Sequence, residues 1–101
     1  MRLRTGTYLF YANNVIKSRY FKRATPLLRA VRPLIDRDDV ERWDISIGAI
    51  TKNFYNFDQM YRSARYHAEN PEGKRFFFDI KVFKDGEMVD KVKIGVLSRI
   101  S

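Results

Sequence analysis

Lys17-Ser18-Arg19-Tyr20-Phe21-Lys22-Arg23 puts four cations and two aromatic rings into seven consecutive residues. Lysine and arginine neutralise phosphates, and arginine also forks onto them bidentately. Tyrosine and phenylalanine rings stack on unpaired bases. Arg29 and Arg32 extend the positive stretch toward the C-terminus, and Arg2 and Arg4 extend it toward the N-terminus. The chemistry these residues could do together is polyanion binding. Phosphates would be held by Lys17, Arg19, Lys22, Arg23, Arg29 and Arg32. Arg2 and Arg4 would act as an arm, with Tyr20 and Phe21 as stacking partners. A solvated basic strand end, with Tyr20 and Phe21 half in the core, uses the same residue types.

The distribution of charge sharpens this reading. The net charge is +8, and residues 1–35 hold eight basic residues and no acid. Residues 36–101 hold twelve bases and all twelve acids, so they are neutral overall. An even basic tint would bear on solubility alone. A segregated one is the electrostatic footprint of a surface for nucleic acid, for an acidic protein or for anionic lipid. Nucleic acid, DNA or RNA, is the leading expectation. The alternative is a protein-interaction module, a small inhibitor or adaptor of the phage-effector kind, that docks its basic face on an acidic partner. Lipid comes third, because no long basic amphipathic helix is evident.

Residue types for catalysis are sparse. There is no cysteine, which removes disulfides, thiolate metal sites and Cys–His nucleophiles. His67 is the only histidine, and no serine elbow or Gly-rich phosphate loop accompanies it. Asp79-Ile80-Lys81 has the acid-x-Lys form of some metal-dependent nucleases, with Asp44 as the upstream acid such a site needs. A cross-strand pair of Asp79 with Lys91 explains the same residues without chemistry. The run from Asp36 to Asp44 is rich in oxygen, but its spacing fits no cation loop and it lacks the turning glycine. It reads as the start of a short helical turn, or as acids that pair with the basic third within the chain or across a homodimer. No enzyme activity, cofactor or metal is therefore expected.

The elements that would position these residues are those of a small α+β domain spanning 1–101. Its 45% hydrophobic and 15% aromatic content is enough for one modest core. Arg75–Lys84 and Glu87–Val96 form the clearest hairpin, around Asp85-Gly86. A three-residue loop, Lys84-Asp85-Gly86, keeps lysines out of the apolar row. It sets Phe76, Phe78, Ile80 and Val82 opposite Ile94, Val92, Asp90 and Met88. The other face mixes Phe77, Phe83 and Val89 with Arg75, Lys81, Lys91 and Lys93. That surface suits bases on rings and phosphates on lysines, or else a further layer that covers the rings while the lysines snorkel.

Alternation of Trp43, Ile45, Ile47 and Ala49 predicts a strand over 43–51. Thr7–Ala12 and Val15–Phe21 predict an N-terminal hairpin about Asn13-Asn14. Thr25-Pro26 opens a helix over about 26–35, buried through Leu27, Leu28, Val31, Leu34 and Ile35, with a kink or early end at Pro33. Asn56 caps a second helix over about 57–69, with Phe57, Met60, Tyr61, Ala64 and Ala68 as its core stripe. No apolar run approaches membrane-spanning length, so no membrane insertion is expected. The absence of cysteine suits a cytoplasmic location.

Overall fold

Phe76, Phe78, Ile80 and Val82 alternate along one strand, and each is buried. This row is the floor on which the helices rest. The computed structural model describes residues 8–13, 18–73 and 75–98, with side chains described for 20–73 and 75–97. The elements run β1 (Tyr8–Asn13), β2 (Ser18–Phe21), α1 (Ala24–Ile35), β3 (Arg42–Ile47), β4 (Ile50–Phe54), α2 (Phe57–Glu69), β5 (Arg75–Lys84) and β6 (Glu87–Ser98). All strand pairs are antiparallel, in the order β2-β1-β6-β5-β3-β4. The architecture is α+β, with both helices on one face of the sheet.

Among the described residues, the buried apolar side chains form one cluster. Leu27, Leu28, Val31 and Ile35 of α1 and Met60, Ala64 and Ala68 of α2 meet Trp43, Ile45 and the inner rows of β5 and β6. Trp43 donates its indole N–H to the Ile35 carbonyl at 2.7 Å, which satisfies one of the orphan acceptors at the end of α1. Asn56 caps α2 as expected, accepting from the Gln59 amide at 3.0 Å. Helix α1 starts at Ala24, with Arg23 at the capping position and no side-chain cap. Pro26 lies in the first turn, where a missing N–H costs nothing. Pro33 lies inside the helix, which runs on to Ile35.

Three sequence expectations differ from the structure. The C-terminal hairpin closes with a two-residue turn in which Asp85 (φ 53) and Gly86 (φ 81) are both left-handed, the backbone a type I′ turn requires. Lys84 pairs with Glu87, and the register then shifts between Val82 and Phe83. Val89 is the extra residue, a β-bulge. The inner row becomes Phe76↔Val96, Phe78↔Ile94, Ile80↔Val92 and Val82↔Asp90. The faces are those expected, but the partners are displaced by two residues. This register moves Asp90 one pair further from the core centre and leaves Met88 exposed.

The strand expected over 43–51 is instead a hairpin. It turns at Gly48-Ala49, where Gly48 has φ 58, and returns as β4 at the sheet edge. The segment after α1 holds a turn at 38–39 rather than a helical turn. In the N-terminal hairpin, Asn13 pairs with Ser18. Residues 14–17, which make the connection, lie outside the described residues.

Candidate nucleic-acid interface

Edge strand β2 places the basic segment at one margin of the sheet. Successive strand residues point to opposite faces, and this divides Tyr20 from Phe21. Phe21 pairs with Phe10, which pairs with Val96 of the inner row. Its ring is half-buried and packs against the core, so it is not offered for stacking. Tyr20 lies on the opposite, helix-free face and is 62% exposed.

Lys22 and Arg23 follow in the short link to α1, and both are exposed. Arg29 is exposed on α1. Among the described residues, none of these three has an acid within ion-pair distance. Arg32 differs. Its Nε lies 3.1 Å from Asp36 Oδ2, and its guanidinium sits 5.1 Å and 5.2 Å from the ring centroids of Phe57 and Tyr61. The fold already uses this cation to tie α1 to α2. Arg2, Arg4 and Lys17 lie outside the described residues, and Arg19 is described in backbone only.

The helix-free face carries a second group of cations and rings. In one backbone row Tyr20 pairs with Tyr11, Tyr11 with Gly95 and Gly95 with Phe77. In the next row of the hairpin Lys93 faces Asp79, and in the row after that Lys91 faces Lys81. Arg75, Lys91 and Lys93 are exposed, whereas Phe77, Lys81 and Phe83 are half-buried. Lys93 Nζ lies 5.6 Å from the Phe77 ring centroid. A groove of about 280 Å³ opens among Phe77, Asp79, Lys81, Lys93, Ser46 and Thr51. Among the described residues, no helix lies on this face.

In the acidic segment Asp36, Asp39, Glu41 and Asp44 are engaged locally. Asp44 is 6% exposed. It accepts from Asn53 Nδ2 at 2.7 Å and lies 3.1 Å from Arg42 Nε. Arg37 beside Asp39 holds the Asp39 carboxyl below the ordinary carboxylate range. Lys84 also approaches Asp39, at 3.8 Å. Of the acids from Asp36 to Asp44, Asp36 alone reaches the described part of the basic third.

Of the residues considered for catalysis, Asp44 and His67 are held by pairing and packing, whereas Asp79 Oδ1 is buried with no hydrogen-bond partner among the described residues. Asp44 stands opposite Lys81, and Asp79 opposite Ser46, but Asp44 is held by Arg42 and Asn53. Among the described residues, no three histidine, cysteine or acidic side chains converge as metal ligands would. His67 is half-buried beside the Phe78 ring, with centroids 6.0 Å apart. No helix among the described residues is long and apolar enough to cross a membrane.

The sequence gives no warning of the Lys81–Lys91 opposition, which depends on the bulge at Val89. Arg32–Asp36, by contrast, has the i,i+4 spacing of a helical ion pair and is visible from the residues alone. No protein-family model, curated protein or solved structure matches this chain.

Proposed function

We propose that this protein binds nucleic acid without catalysis, with phosphates held at the margin formed by β2 and the start of α1. Lys22, Arg23 and Arg29 are the described cations in that role, and Tyr20, two residues before Lys22, is the exposed ring on the helix-free side of β2. One observation carries the reading: the first 35 residues hold eight bases and no acid, and these three described members are exposed without an acid partner. Such contacts give affinity and position rather than sequence preference. A cytoplasmic location suits the cysteine-free chain.

The test is fluorescence anisotropy with labelled oligonucleotides and the triple variant K22A/R23A/R29A. Loss of most of the affinity is expected, and unchanged affinity would contradict the reading. A second reading has the same basic margin dock on an acidic protein. Tyr20, exposed at that margin, supplies ring area that a protein partner could use. Purification from the native host after nuclease treatment separates the two. A stoichiometric acidic protein retained without nucleic acid favours the second.

A further inference from the structure

We infer that the helix-free face of the sheet is a platform for single-stranded nucleic acid. This rests on the proposed function and names the form of the ligand.

Three observations carry it. First, the face is charged for a polyanion. Arg75, Lys81, Lys91 and Lys93 project from β5 and β6, against Asp44, which is buried and paired with Arg42, and half-buried Asp79, which faces Lys93. Second, Lys81 and Lys91 are directly opposed. Like charges in that arrangement repel, and a phosphate between them would relieve the repulsion. Third, the same face exposes the Tyr20 ring, and the half-buried Phe77 ring lies next to Lys93, whose Nζ is 5.6 Å from its centroid. Stacking on rings is open to unpaired bases and tolerates any sequence.

Shape excludes insertion into a duplex. Strands lie about 4.8 Å apart, so six span about 24 Å. The major groove is about 12 Å wide and admits a two-stranded ribbon. Tyr20 and Phe77 stand three strand spacings apart in one row, about 14 Å. They would therefore meet different bases along one strand. Lys22 and Arg23, where edge strand β2 leads into α1, continue the path onto the margin already proposed.

Anisotropy with a labelled single strand and its duplex of equal length, on the wild type, Y20A, K91A/K93A and K22A/R23A/R29A, tests this. Tyr20, Lys91 and Lys93 are exposed, and buried Trp43 reports folding of each variant. Preference for the single strand is expected. Y20A should lose about 5- to 100-fold of that affinity, as removal of one stacking ring does, and K91A/K93A should also lose affinity. If K22A/R23A/R29A abolishes binding while folded Y20A and K91A/K93A bind like wild type, the platform is overturned and the proposed function survives. Equal or tighter duplex binding also overturns the platform. No binding to either form removes both.

Discussion

Lys81 and Lys91 stand directly opposite each other on β5 and β6, on the face the helices leave uncovered. Cross-strand pairs of like charge are unfavourable, and swapping one for an opposite charge changes the balance by about 0.2–1 kcal/mol. Lys91→Glu should therefore stabilise the free protein by about 0.5 kcal/mol, seen as a rise in denaturant midpoint at unchanged slope. The same substitution should weaken binding of a single strand. A gain in stability together with a loss of affinity marks a site held in a strained state for its ligand. Loss of both would mean that the lysines serve the fold.

Arg29 and Arg32 are one helical turn apart and have different work. Arg32 is tied to Asp36, Phe57 and Tyr61. An exposed ion pair contributes little and an exposed cation–ring contact about 0.5–1 kcal/mol. Arg32→Ala should lower stability by about 1 kcal/mol and leave nucleic-acid affinity nearly intact. Arg29→Ala should do the reverse. Chemical melts and anisotropy on the two variants check this.

Asp44 is buried in the helix-free side of β3 and depends on Arg42 and Asn53. Breaking a fully buried pair costs about 3–5 kcal/mol. The Arg42 side chain is 29% exposed, so water screens part of the loss. Arg42→Ala should cost about 2 kcal/mol. Asp44→Asn placed on that background should recover part of it, because the stranded charge is gone. Trp43 fluorescence during urea unfolding measures both.

His67 gives the fold a pH dependence near neutrality. Burial pushes its pKa below the ordinary value and Lys52 acts in the same direction, with Glu72 opposing. The unfolded chain takes up this proton near pH 6.5, and the folded chain only at lower pH. Stability is therefore full above about pH 6.5 and declines as the pH falls from there toward the folded value. His67→Gln should flatten that slope in thermal melts between pH 8 and pH 5. The paired Asp39 titrates only at more acid pH, because Arg37 holds its pKa down.

The faces of the fold were readable from residue alternation, and the partners across them were not. Phe76, Phe78, Ile80 and Val82 declare the buried side of β5 by period alone. The bulge at Val89 has no residue type to mark it, so the pairing shifted by two and Lys81 rather than Asp79 came to face Lys91. The β3–β4 hairpin hid because apolar alternation runs on through Ala49, past a Gly48-Ala49 turn that is a weak sequence signal. Segregation of charge was plain in the residue order. The division of Tyr20 from Phe21 followed from period two once β2 was known to be a strand. What the sequence could not supply is the helix-free face itself, because it depends on both helices packing against the same side of the sheet.

The salt dependence of binding reports the number of phosphates held. If this protein holds a single strand through about six phosphates, the logarithm of the association constant should fall with the logarithm of salt concentration at a slope of about −4. A steep linear loss of that order between 50 and 200 mM salt, on the order of the range where such contacts are lost, is the expected result. Binding that stays level across this range, or no binding at the low-salt end, would mean that the proposed cations hold no phosphates.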